Sequence, residues 1–175
     1  MKKTVFALFG AAALQCVVPL ASARVKGPKG HCGAQEQVVL NCTVGKRVVS
    51  VCGLPGKSLQ YRYGPPGKLE MTFPTDPTSY KRVAHFGRVD IPSGGSAYVR
   101  FVNQNVEYVV FSGSGSGWEK DGLIAVQGGK VVNSKVCERW PDGSMFDAES
   151  FGLPKDSDKK AWEVWSLVPM DDTES

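Results

Sequence analysis

The sequence predicts an all-β protein: a small antiparallel β-barrel or sandwich of about eight to nine strands, with a candidate short helix near the C-terminus. Short runs rich in valine, tyrosine and phenylalanine alternate with glycine, proline and asparagine, which is the pattern of strands separated by turns. Tyr98, Arg100 and Val102 alternate with Val99 and Phe101, as expected for a strand in an antiparallel sheet. No helical period occurs before the last twenty residues or so.

Nine segments carry this strand pattern. They are residues 38–44, 47–53, 59–63, 68–73, 82–90, 97–103, 106–112, 123–127 and 131–137. Glycine, proline and asparagine between several of them predict tight hairpin turns, at residues 45–46, 64–67, 104–105 and 128–129. Near the C-terminus, Asp156 or Ser157 offers a helix N-cap. Trp162 and Trp165 follow at a spacing of three, as an amphipathic pair.

The N-terminal residues 1–23 have the features of a secretory signal peptide. Lys2 and Lys3 precede an apolar run, and the small residues Ala21 and Ala23 stand where a signal peptidase cleaves. We therefore expect a bacterial periplasmic or secreted protein with no membrane span in its mature form. Residues 24–37 form a leader, residues 38–137 the antiparallel β domain, and residues 138–175, rich in charges and breakers, a C-terminal extension.

The charge of the mature chain excludes one large class of partner. The chain has 21 basic and 17 acidic residues, and cleavage after Ala23 removes Lys2 and Lys3, which leaves 19 basic residues. A nucleic-acid-binding domain would show a basic stripe with interleaved aromatic residues, so we expect no nucleic-acid partner. The remaining chain of about 150 residues suits one domain with a substantial core.

Four cysteines remain after cleavage, which predicts two disulfides in an exported protein. A two-residue turn at Gly45-Lys46 places Cys42 opposite Val49, so Cys52 lies three residues out of register. The two Cα atoms would then be farther apart than the roughly 4.4–6.8 Å that a disulfide spans. Cys137 therefore pairs with Cys42 or with Cys52, and Cys32 takes the other.

The sequence offers no convincing catalytic or metal-binding constellation. His31 adjoins Cys32 in the leader, and His85 lies within a strand pattern, where a half-buried structural histidine is the expected reading. The only G-x-S-x-G match lies inside the Gly-Ser repeat, where a strand follows instead of the helix that a nucleophile elbow requires. We therefore expect a protein that is not an enzyme and that uses neither a metal nor a cofactor.

The stretch at residues 112–118 is the leading candidate for function. It comprises Ser112, Gly113, Ser114, Gly115, Ser116, Gly117 and Trp118. A loop of about ten residues between paired strands is long for a hairpin, and long loops on β scaffolds often bind partners. The serines supply hydroxyls, and Trp118 supplies an apolar anchor. The structural alternative is a glycine-rich bulge, with Trp118 folded back over the core.

The motif SGSGSGW resembles the S-G-S-G-A-K-Y signature of bacterial envelope inhibitors of c-type lysozyme, and the S-G-x-x-Y motif of related periplasmic lysozyme inhibitors. Asp121-Gly122 follows it, as an aspartate-glycine pair follows the signature in that family. The resemblance implies a small antiparallel β-barrel whose serine-bearing loop plugs the substrate cleft of a peptidoglycan-cleaving enzyme. It also implies that Cys137 bonds to Cys42 in the first strand, which leaves Cys32 for Cys52.

The expected partner is therefore a cell-wall hydrolase, a lysozyme or a muramidase-like protein. A sequence pI near 8.8 favours an acidic or neutral enzyme over a basic one, such as a bacterial muramidase or amidase toxin to which this chain confers immunity. Two other readings stay open. One is a carbohydrate- or peptidoglycan-binding module that uses aromatic side chains as stacking surfaces, namely Trp118, Tyr61, Tyr63 and Trp140. The other is a structural envelope protein.

Overall fold

The computed structural model describes residues 30–91 and 93–169, which form two antiparallel sheets and a short C-terminal helix. The predicted signal peptide and the start of the leader lie outside the described residues. The first sheet has the order β1-β2-β3-β4, and its strands are β1 Gln37–Val44, β2 Arg47–Leu54, β3 Ser58–Gly64 and β4 Met71–Phe73. The second has the order β5-β6-β7-β8-β9, with strands β5 Ala84–Ile91, β6 Gly94–Asn103, β7 Val106–Gly115, β8 Trp118–Gln127 and β9 Lys130–Val136.

The two sheets pack as a sandwich, not a closed barrel. Valines, aromatic residues and leucines from the facing sides of both sheets form the inter-sheet core, which includes Leu40, Val49, Tyr61, Phe101 and Val110. All neighbouring strands are consecutive in sequence, so each is joined to the next by a hairpin or a short connection. The 3-10 helix Pro77–Arg82 lies in the connection from β4 to β5, which joins the two sheets.

The hairpin β1–β2 has the predicted register. Val44 lies opposite Arg47 across a two-residue turn, and Cys42 lies opposite Val49. The disulfides join Cys32 to Cys52 and Cys42 to Cys137, which is the pairing that the resemblance implies. The first bond ties part of the leader to β2, and the second ties β1 to the residue after β9. Two disulfides of this kind are typical of exported proteins.

A second core lies on the opposite face of the five-stranded sheet, where helix α1 Asp158–Trp165 packs. The helix and the turn after it contribute Ala161, Val164, Trp165 and Val168, which recur at helical spacing. The predicted amphipathic pair is wrong, because Trp165 is buried whereas Trp162 is 50% exposed. Ser157 is the N-cap and accepts a hydrogen bond from the backbone N–H of Lys160.

The C-terminal extension is part of the folded unit in this structure. Its 3-10 helix Met145–Phe151 places Met145, Ala148 and Phe151 in the inter-sheet core, while α1 covers the second core. The composition of residues 138–175 hid this role, because their apolar residues are spread among charges and breakers. The five-stranded sheet is consequently buried on both faces along much of its length. None of the helices in the described part of the chain is long and apolar enough to cross a membrane.

Candidate partner-binding site

The predicted loop is wrong in its local structure, because residues 112–118 form the end of a regular β-hairpin. Strand β7 continues to Gly115 and β8 begins at Trp118, so only Ser116 and Gly117 form the turn. The pairing has no bulge, and Ser112 lies opposite Asp121. Glycine and serine have low strand propensity, so the sequence suggested a loop, but cross-strand pairing and packing override that preference here.

Gly113 and Gly115 lie beneath two tryptophan rings. A Cβ atom on Gly113 would collide with the indole of Trp165, and one on Gly115 would collide with the indole of Trp118. The two indoles lie 6.2 Å apart between ring centroids, and Trp118 packs against the second core. Trp118 is thus a half-buried part of the architecture, as the structural alternative held, although without the bulge.

The serines occupy the other face of the same strand, because successive side chains of a strand point to opposite faces. Ser112 is half-buried and hydrogen-bonds to the carboxylate of Asp121. Ser114 is exposed and lies opposite the exposed Glu119. The strict Gly-Ser alternation therefore has a physical reason: glycine leaves room for tryptophan on the face covered by the helix, and serine stays polar on the open face.

The start of β6 lies beside the turn between β7 and β8 at this end of the second sheet. Gly95 pairs with Ser114, and Ser114 is two residues before that turn. Ser114, Ser116 and Gly117 are exposed there, and Gly117 has a positive φ of 81°, which the turn requires. This end therefore presents hydroxyls that can donate or accept hydrogen bonds.

Asp121 is the unusual titratable group of this region. Its side chain is buried, with 6% of the residue exposed, and its Oδ1 has no hydrogen-bond partner among the residues that the structure describes. Burial raises the pKa of Asp121, against a smaller lowering by the hydrogen bond from Ser112. The pKa of Glu119 is also raised, by desolvation and by the charge of Asp121.

Asp121 lines a groove of about 550 Å³ that the sequence did not indicate. Its other walls come from β8, from the end of β9 and from the chain after β9, namely Glu119, Lys120, Val136, Cys137, Glu138, Arg139 and Trp140. Trp140 is 80% exposed. Residues from two separate segments form this groove, and only the folded chain brings them together. Glu119 and Asp121 lie before the predicted strand at residues 123–127, so the sequence pattern did not place their side chains on one face of a strand, as β8 does.

The aromatic residues considered as stacking surfaces differ sharply in their exposure. Tyr61 is buried at 2% exposure, and Tyr63 packs partly buried against the inter-sheet core. Trp118 is half-buried beside Trp165. Of these four residues, Trp140 alone presents most of its indole to solvent. Of the four aromatic residues proposed to stack on sugars, only Trp140 offers an exposed ring, and it lies in the groove with Asp121.

A buried ionic network holds α1 against the second sheet and so supports the hairpin indirectly. Asp156, just before the helix, accepts hydrogen bonds from Arg100 at 2.6 Å and 3.0 Å and from the hydroxyl of Tyr98 at 2.8 Å. Burial acts to raise the pKa of Asp156, but the hydrogen bonds from Arg100 and Tyr98 outweigh it and hold the pKa below its usual value. His85 is half-buried, with its Nδ1 3.6 Å from Asp156. Burial and the charge of Arg100 lower the pKa of His85.

His31 has a structural environment as well. Its ring Nε2 lies 3.0 Å from the carbonyl oxygen of Gly64, and its own carbonyl accepts a hydrogen bond from Arg62. Arg62 also pairs with Glu36. Within residues 30–91 and 93–169, no group of three or more histidine, cysteine, aspartate or glutamate side chains is arranged to hold a metal ion.

Comparisons with protein-family models, with curated proteins and with solved structures found no match for this chain.

Proposed function

We propose that this chain is an exported inhibitor of a peptidoglycan-cleaving enzyme, a lysozyme inhibitor or an immunity protein of the bacterial periplasm. The end of the β7–β8 hairpin would enter the substrate cleft of that enzyme. The observation that carries the proposal is a stiff hairpin that ends in exposed serines, Ser114 and Ser116, beside the exposed Gly117. The two disulfides support an extracytoplasmic location.

Stiffness matters because a binding loop loses conformational entropy when it becomes ordered on its partner. Here Gly113 and Gly115 are paired in a strand and covered by indole rings, so most of the Gly-Ser segment is ordered before binding. Trp118 contributes by fixing the hairpin to the second core. In this proposal Trp118 stabilises the hairpin and does not itself insert into the partner enzyme.

The chemistry of the tip suits a cleft that contains carboxylates. Enzymes that hydrolyse glycosidic bonds commonly use two carboxylic acids, and hydroxyl or backbone N–H donors form strong hydrogen bonds to an ionised carboxylate. Ser116 lies in the turn itself, whereas Glu119 lies farther down β8. A serine can therefore reach the cleft floor while Glu119 faces the rim, where a basic residue of the enzyme would be favourable.

The test places a bulky charge at the tip. We expect Ser116→Arg to weaken inhibition at least about tenfold, because a long side chain prevents the turn from entering a narrow cleft. The measurement is the inhibition constant of the mature protein against c-type, g-type and i-type lysozymes and bacterial muramidases. Asn105→Arg is the matched control, because Asn105 is an exposed turn residue at the opposite end of the same sheet.

Inhibition of none of these enzymes by the wild-type protein would overturn the proposal. Equal loss in both arginine variants would show that the hairpin tip is not the contact. Thermal unfolding of both variants separates a binding effect from a folding effect, because neither residue is buried.

A further inference from the structure

The groove beside Trp140 combines the groups that bind a sugar ring. The exposed indole of Trp140 supplies a flat apolar surface, and the C–H face of a pyranose is apolar enough to stack on such a ring. Asp121 and Glu119 supply acceptors for hydroxyl groups, and Arg139 supplies donors. A few convergent polar groups next to an apolar wall are typical of small-ligand sites.

A second, independent observation comes from Asp121, whose buried carboxylate oxygen Oδ1 has no hydrogen-bond donor among the described residues. A buried polar atom without a hydrogen-bond partner is costly, and such atoms are rare in folded proteins. Oδ1 of Asp121 is in this state among the described residues, although Ser112 on the neighbouring strand donates one hydrogen bond to the carboxyl group. A hydroxyl that approaches through the groove would be the donor that Asp121 lacks.

The polar side chains of the groove suit a neutral ligand that carries hydroxyl groups. Glu119, Asp121 and Glu138 offer acceptors and Arg139 offers donors, whereas the ammonium group of Lys120 donates to the carbonyl oxygen of Pro169, at 3.3 Å, on the face covered by the helix. A lysine or arginine side chain of a partner would be repelled by Arg139, which lines the same groove. A neutral sugar uses donors and acceptors together, which matches the mixed lining.

Trp140 also lines a neighbouring hollow of about 260 Å³, together with Asn41, Thr43 and Asp142. An oligosaccharide that passes over the indole could therefore contact both hollows. A ligand of several sugar units would bury more surface than a single unit and bind more tightly.

We propose that the groove between Trp140 and Asp121 is a binding site for a neutral oligosaccharide, separate from the hairpin tip. The sugar ring stacks on Trp140, and its hydroxyls donate to Asp121 and Glu119. This site does not depend on enzyme inhibition, although a protein with both sites would be retained on the glycan near its target enzyme.

Titration of the mature protein with chitotetraose and with maltotetraose, followed by calorimetry, tests the site. We expect saturable binding of at least one of them, and weaker binding of the corresponding monosaccharide. Trp140→Ala should weaken binding at least about tenfold, because it removes the stacking surface. Trp162→Ala is the matched control, since Trp162 is also exposed but lies on α1, and it should bind as the wild type does. Glu119→Gln, also at an exposed residue, should weaken binding severalfold.

Three results would overturn the site. They are no saturation by either tetrasaccharide at millimolar concentration, equal binding by Trp140→Ala and the wild type, and competition by arginine amide but by no sugar. The last would assign the groove to a cationic partner. Trp140→Ala should inhibit hydrolases as the wild type does while Ser116→Arg binds sugar normally, so the failure of either proposal can be recognised separately.

Discussion

The two faces of the β7–β8 hairpin have the same backbone but opposite environments. On the face covered by α1, Gly113 and Gly115 lie against Trp165 and Trp118. On the open face, Ser112 and Ser114 lie near Asp121 and Glu119, whose carboxyl pKa values are raised. The comparison teaches that a low-complexity repeat can be a precise structural pattern, because its period of two matches the period of a strand. The covered face sets the shape of the hairpin, and the open face is free to bind.

Removal of α1 should have the largest effect on stability, because it exposes the face of the hairpin that carries Gly113 and Gly115. Truncation after Leu153 deletes Asp156 and the four core residues that α1 and its following turn supply. Arg100 would remain buried without its main partner. Since whole domains are stable by only about 5–15 kcal/mol, we expect the truncated protein to lose its cooperative thermal transition, followed by near-ultraviolet circular dichroism. A sharp transition at the wild-type temperature would show that residues 154–175 do not contribute to the folded core.

Asp156→Asn should be the next largest effect. The carboxylate is buried with Arg100, and removal of one partner of a buried pair typically costs about 3–5 kcal/mol. Urea denaturation at neutral pH measures this loss. Asp90→Asn is the control, because Asp90 pairs with Arg88 at the surface and such pairs contribute about 0–1 kcal/mol.

The same variant predicts the sign of a pH dependence. The folded-state pKa of Asp156 lies below the ordinary value of 3.8, so its contribution to stability is fully present above that value. The contribution is lost as the pH falls through the folded-state pKa. Below about pH 4 the free energy of unfolding should therefore fall more steeply in the wild type than in Asp156→Asn. Parallel curves for the two proteins would contradict this assignment.

Single alanine substitutions on the two faces of β7 compare the faces directly, and they should give the smallest changes in the free energy of unfolding. Gly113→Ala places a methyl group against Trp165 and the Cβ of Ser96, and overpacking of this kind typically costs about 1–3 kcal/mol. Ser114→Ala, one residue along on the open face, should change the free energy of unfolding by less than about 0.5 kcal/mol. Urea denaturation of both variants decides the point. Equal effects would mean that the helix does not hold Trp165 against Gly113.

Local chemistry made much of the sandwich predictable. The turn at Gly45-Lys46 determined the register of Cys42 with Val49, and the alternation around Tyr98 identified a strand of the second sheet. The hairpin end was not predictable in the same way. Gly-Ser repeats have the composition of linkers, and their strand conformation depends on Trp165, which lies some fifty residues away in the sequence.

The sequence by itself determined the all-β class, the nine strands and a two-residue turn in the first hairpin, because these depend on patterns within a few residues. Only the tertiary structure decided that the C-terminal extension belongs to both cores and that residues 112–118 form strands and a turn. It also brought Trp140 beside Asp121, although the rest of β8, a turn and β9 separate them along the chain. Such contacts depend on which faces of distant segments meet, and the burial that stabilises them is a property of the folded chain as a whole.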